Sequence, residues 1–230
     1  MYRKLGFTLT EVLITLGIIG VVAAITMPNL IAAHKAKRLR SQFLKSYSTI
    51  QQVFKQMEAD DVSTDPSTYP ARTMYKTFMK YLQAPFDCQA DGTKLSKRVV
   101  PCYKATSKDD NSYKTFDGKS NIDYWWFDDG QILLPDGTLI MFENSINAKQ
   151  LWVFVDLNGF NTPPNRLGYD LFTFEFLDGE LRPMGDIQTK YNDKEKYCNP
   201  KSSEKLNGIA CASEAKNNTD YFKQIVKAFK

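Results

Sequence analysis

Residues Val12 to Ala33 carry no charge, and Val12 to Met27 is built mostly from Val, Ile, Leu, Ala and Gly. A bilayer span needs about 20 such residues. A run of this length near the start of a chain forces a helix that satisfies its own backbone hydrogen bonds in lipid or in a protein core. One carboxylate, Glu11, sits at the edge of the run. A carboxylate at membrane depth costs about 2.5–3.5 kcal/mol on insertion scales, so its presence there needs a reason.

Downstream of about residue 60 the chain changes character and becomes charged, turn-rich and aromatic. With 230 residues, 43% hydrophobic and 13% aromatic, it can bury a substantial core. The expected layout is a short basic head, one membrane-grade helix and a large polar-faced domain. The formal charge of +4 is too mild to point to a nucleic-acid partner. Arg3 and Lys4 precede the apolar run, while His34, Lys35, Lys37, Arg38 and Arg40 follow it. The positive-inside count therefore does not favour a cytoplasmic N-terminus. The basic run at 34–40 reads as a solvated or headgroup-facing helix turn.

Beyond Pro28, Leu39, Phe43, Tyr47, Ile50, Phe54 and Met57 recur at spacings of three and four. That is the helical period, with Lys and Gln on the other face. One helix is expected from about Phe7 to about Ala59, ended by Asp60-Asp61 and Asp65-Pro66. Its stripe would pack on the head. A short helix is expected from about Arg72 to Leu82. The stretch from Cys88 to Asn121, rich in Lys, Asp, Ser and Gly, reads as a surface loop.

The segment "YWWFDDGQILLPDGTLIMFE" reads as two strands around the turn Pro135-Asp136-Gly137, and "LWVFVDL" as a third. In "DLFTFEFLDG", Phe172, Phe174 and Phe176 alternate with Thr173 and Glu175, the period of a strand with one buried face. The fold expected is α+β: a long N-terminal helix on an antiparallel sheet of four or five strands. Tyr221, Ile225 and Phe229 suggest a short terminal helix.

Three readings of the N-terminus compete. An ordinary signal peptide would be cut after Val22-Ala23-Ala24, and a plain signal anchor would not be cut; neither accounts for Glu11. The stretch "KLGFTLTEVLITLGIIGVVAAITMPNL" resembles the N-terminus of type IV prepilins and type II secretion pseudopilins. The resemblance covers about 25 residues, but four positions fall in register. It implies cleavage between Gly6 and Phe7 by a prepilin peptidase on the cytoplasmic face, then N-methylation of Phe7. Counting Phe7 as first, Glu11 is the fifth residue and Pro28 the twenty-second, the places where the family has glutamate and proline.

The resemblance also implies roles. Glu11 would meet the N-terminal ammonium of a neighbouring subunit and fix the axial register, because a buried charge is tolerable when paired. Pro28 would let the helix unwind locally on entering a filament. Gly17, Gly20 and Ala24 include a G-x-x-x-A spacing suited to close helix packing. The expected parts are a leader at 1–6, an assembly half at 7–28, an amphipathic half at 29–59 and a periplasmic or extracellular head at 60–230. The partners implied are the prepilin peptidase, other pilin subunits, an inner-membrane assembly platform and membrane lipid. The precursor would be single-pass, with a cytoplasmic N-terminus. The runner-up is a minor tip subunit whose head binds DNA, a surface or secreted cargo.

Cys88, Cys102, Cys198 and Cys211 lack C-x-x-C spacing, and four cysteines allow three connectivities. The two sequence-local pairs are preferred, in an oxidising compartment. Cys198 and Cys211 resemble the disulfide-bounded loop near the C-terminus of pilins. In "VDLNGFNTPPNRLGYDLF", Asp156, Asn158 and Asp170 offer oxygen ligands and make calcium a candidate. Calcium in the heads of major pseudopilins adds weight to it. The loop lacks the glutamate at the twelfth position of an EF-hand, and the same residues can cap turns. With one histidine, on the juxtamembrane helix, no Ser/His/Asp or Cys/His site can be built in the head, and no phosphate-binding G-x-x-x-x-G-K motif is present. No enzyme activity is expected.

Overall fold

The computed structural model describes residues 7–90, 101–103, 112–144 and 150–229. Helix α1 runs unbroken from Leu9 to Ala59. At 1.5 Å per residue it is about 76 Å long. Its two halves differ in what they touch. Up to Ile31 its large apolar side chains are exposed, whereas Ala36, Leu39, Phe43, Ser46, Ile50, Val53, Phe54 and Met57 are buried. The stripe expected from Leu39 to Met57 is the buried one, with Tyr47 at its edge. Asp60 caps the helix by donating its N–H to Gln56 and Glu58 carbonyls.

The head is a six-stranded antiparallel meander among the described residues: β1 Phe86–Gln89, β2 Gln131–Leu133, β3 Leu139–Glu143, β4 Leu151–Asp156, β5 Leu171–Leu177 and β6 Glu180–Pro183, paired in chain order. The sequence suggests four or five strands. The extra one is β1, whose "FDCQ" is too short to show a period. "YWWF" is not strand but a 3-10 turn over Tyr124–Phe127, which tucks Phe127 under the sheet. The β2–β3 turn falls where Pro135-Asp136-Gly137 puts it. Gly137 takes a φ of +89°, and Asp136 Oδ1 accepts from Thr138 N at 3.0 Å.

α1 covers one sheet face. Phe54 stacks on Phe176 with ring centroids 3.9 Å apart, and Phe43 meets Phe172 edge-on at 4.9 Å. The helix α2, Met74–Met79, adds Phe78 against Phe142 at 5.1 Å. Two short helices, α3 Lys194–Tyr197 and α4 Cys211–Asn217, precede the terminal helix α5 at Tyr221–Ala228. α5 places Phe222 in the same core as Phe43.

The opposite face is also covered, which corrects the one-sided reading of β5. Thr173 and Glu175 are fully buried. A second cluster lies over that face, containing Tyr103, Tyr113, Phe127, Met141, Phe154 and Leu167. Glu175 is satisfied inside it: the Trp152 indole N–H donates to Oε1 at 3.0 Å and the Lys190 amide to Oε2 at 2.8 Å. Tyr103, Tyr113 and Phe116 come from the stretch expected to be a surface loop, so its described parts are core rather than decoration. The rest of that stretch, 91–100 and 104–111, lies outside the described residues.

Cys88–Cys102 and Cys198–Cys211 are disulfides, with Cα separations of 5.6 and 5.0 Å. These are the two sequence-local pairings. The first ties β1 to the second cluster, and the second joins the end of α3 to the start of α4.

Candidate functional site: the exposed half of the first helix

Gly6 and the rest of residues 1–6 lie outside the described residues. Phe7 is exposed, and Thr8 is the N-cap of α1. The carboxylate of Glu11 turns back on Thr8. Its Oε2 accepts from the Thr8 amide at 2.8 Å and the Thr8 hydroxyl at 2.8 Å, while Thr8 Oγ1 accepts from the Glu11 amide at 3.3 Å. This is a capping box, T-x-x-E ahead of an apolar run. The signal stands in the sequence as "TLTE", but membrane cost alone does not reveal it. Within one subunit, Glu11 therefore has a helix-starting role in addition to any role between subunits.

Pro28 sits inside the helix without breaking it. Having no N–H, it leaves the helix one hydrogen bond short at this point. A Cβ added at Gly17 or Gly20 would meet nothing within 4 Å. Their small size thus serves no packing among the described residues and leaves room for a second helix. Gly20→Leu is expected to leave the thermal midpoint of the head unchanged and to weaken association between copies of the first helix. Parallel denaturation and sedimentation of the variant check it.

The Asp156–Asp170 loop links β4 to β5. Both carboxylates are fully buried. Asp156 Oδ1 accepts from the amides of Asn158 at 3.1 Å and Gly159 at 2.9 Å, and its Oδ2 from the Tyr113 hydroxyl at 2.8 Å. Asp170 accepts from the amides of Arg166 at 2.7 Å and Asn165 at 3.1 Å. Burial, then mutual repulsion, raises Asp156 well above the usual carboxylate range, and burial raises Asp170. The amide side chains of Asn158 and Asn165 donate to the carbonyls of Thr162 and Phe160, but both Oδ1 atoms are buried without a protein partner. The donor set is all oxygen, with two carboxylates, which fits a hard cation such as calcium in type.

A second acidic group joins Asp128, Asp129 and Glu143. Here Arg72 supplies the cation, 2.7 Å from Asp128 and 3.1 Å from Asp129. Burial, with the charges of Asp129 and Asp128, pushes Glu143 up to about 8. Because the folded value lies above the unfolded one, Glu143 favours folding at acid pH. That contribution is lost as pH rises from about 4.5 towards 8. Glu143→Gln is expected to flatten the decline of head stability over this window, measured by urea unfolding at pH 5 and pH 8.

Residues 1–27 match the family described as the prokaryotic N-terminal methylation motif. No curated protein and no solved structure matches the chain. The match spans residues 1–6, Phe7, Glu11 and most of the exposed apolar run. The long apolar helix that begins within the match, unburied in its N-terminal window, fits a membrane-anchored precursor. The chain carries, ahead of a helix-on-sheet head, the methylation motif that is the hallmark of the type IV pilin and pseudopilin family.

Proposed function

We propose that the chain is the precursor of a filament subunit, cut after Gly6 by a prepilin peptidase, N-methylated at Phe7 and polymerised through the first half of α1. The observation that carries this reading is the motif at 1–27 on a helix half whose large apolar side chains are exposed among the described residues. Before assembly, lipid would cover that half. In a type IV pilus or a type II secretion pseudopilus, the same halves of other subunits would replace lipid.

The work is mechanical rather than enzymatic. Subunits enter from an inner-membrane platform and extend a fibre while the heads remain periplasmic or extracellular. The two disulfides suit an oxidising compartment. Nucleic acid is not a favoured partner. The test is co-expression with a prepilin peptidase and an assembly platform, followed by shearing. Mature chain in the sheared fibre fraction supports the reading. Mature chain held wholly in the membrane contradicts it.

We further propose that Asp156, Asn158 and Asp170, with Asn165, hold calcium. The two orphaned amide oxygens beside two buried carboxylates support this. The ion would neutralise the pair and fix the β4–β5 connection. Addition of 1–5 mM calcium, on the order of a weak extracellular site, is expected to raise the thermal midpoint of the full chain in detergent by several degrees relative to EDTA. Asp156→Asn is expected to remove the difference. An equal midpoint in calcium and EDTA for the unmutated chain would exclude the ion.

A further inference from the structure

Basic side chains from opposite ends of the chain meet at one level of α1. Lys35, Lys37, Arg38 and Arg40 come from α1, and Lys223 and Lys227 from α5. α5 lies against this stretch, and Lys223 and Lys227 line a shallow groove of about 220 Å³ with Asn29, Ala32, Ala33 and Ala36. All of these cations except the half-buried Arg40 are exposed.

Their interactions within the chain leave most of the charge uncompensated. Lys223 pairs with Asp220 at 2.8 Å. Arg40 donates to the Asn218 carbonyl at 3.4 Å, and Lys35 stands 5.2 Å above the Tyr169 ring. Among the described residues, Lys37, Arg38 and Lys227 have no carboxylate within ion-pair distance.

Their height along the helix decides what they face. A hydrocarbon layer of about 30 Å takes about 20 helical residues, so a span starting at Leu9 ends near Pro28. Asn29 to Ala36 then rises through the next ~10 Å, the headgroup zone and its outer edge. The ammonium groups of Lys223 and Lys227 stand beside that segment. Lys35 lies at the outer edge of that segment, and Lys37, Arg38 and Arg40 lie just beyond it, within a Debye length of about 8 Å. In the proposed orientation this is the far side of the membrane, where the positive-inside rule gives no reason for a basic cluster. Two elements nearly two hundred residues apart nonetheless build one there.

We propose that this two-helix collar is a binding surface for anionic phospholipid headgroups of the outward leaflet. It would seat the head on the bilayer until the subunit is withdrawn into a fibre. The proposal rests on the membrane-anchored reading of α1.

The test uses the full chain, with both disulfides formed, in nanodiscs of equimolar phosphatidylglycerol and phosphatidylcholine. Lipids retained on the chain are counted by native mass spectrometry. With a factor of about five in local preference for each basic side chain near an anionic surface, the wild type is expected to retain phosphatidylglycerol at least about fivefold over phosphatidylcholine. K223Q/K227Q is expected to lose at least half of that preference. K201Q/K205Q, on exposed positions of the disulfide-bounded loop, is expected to keep it. Equal retention of the two lipids by the wild type overturns the collar, as does a preference unchanged in K223Q/K227Q. Binding of double-stranded DNA without a lipid preference also overturns it and assigns the patch to nucleic acid. A chain that fails to enter nanodiscs at all removes the anchored reading itself, and the collar with it.

Discussion

Glu11→Gln is expected to be cleaved and folded normally and yet to enter filaments at least about tenfold less than the unmutated chain. The substitution separates the capping role seen in the structure from the register role proposed for the same carboxylate. Glutamine at this position of a capping box can still accept from the Thr8 amide, so the helix start survives. It carries no charge, so it cannot pair with the ammonium of a neighbour's Phe7. Glu11→Ala loses both roles. If the charge sets the register, Gln and Ala fail alike. If the cap is the whole reason for Glu11, Gln behaves as wild type and only Ala is impaired. The readout is the ratio of mature chain in the sheared fraction to that in the membrane, beside cleavage followed by mass.

Phe43→Ala is expected to destabilise the head by about 3–5 kcal/mol, near the top of the range for a buried aromatic. Phe43 is fully buried and joins three elements: Phe172 and Phe174 of β5, at 4.9 and 5.7 Å, and Phe222 of α5 at 5.8 Å. A loss of that size lowers the thermal midpoint by roughly 6–20 °C in a chain of this length. Ile19→Ala, on the exposed half of α1, is the control and is expected to leave the midpoint where it was. Equal shifts for the two variants would mean that the two halves of α1 do not divide the labour as described.

That division was readable in the residues. The run from Val12 to Ala33 has no polar face, so nothing in it specifies a soluble partner. The stripe from Leu39 to Met57 has the helical period and packs where the period puts it. The β2–β3 turn was legible because Pro135-Asp136-Gly137 supplies both the fixed φ and the residue tolerant of a positive one.

The second face of the sheet was not legible. Thr173 and Glu175 look like solvent-facing residues, since alternation reports polarity and not what lies above it. The layer that buries them comes from Tyr103 and Tyr113, single aromatics in polar sequence, and from Phe127, at the end of an aromatic run that reads as strand. The same holds for the Asp156–Asp170 pair. The residue types were plain in the loop, but the hydroxyl that meets Asp156 inside the core belongs to Tyr113, more than forty residues earlier. Thr8 was missed for a different reason. The cost of Glu11 in a membrane draws attention to its charge, whereas its nearest partner is the hydroxyl and amide three residues before it.

The account stands on processing at one bond, and the mature N-terminus tests it directly. Mass spectrometry of the membrane fraction, from cells that also hold a prepilin peptidase, should find the chain starting at N-methylated Phe7. A chain starting after Ala24, or retaining Met1, would contradict the filament-subunit reading and leave Glu11 with its capping role alone.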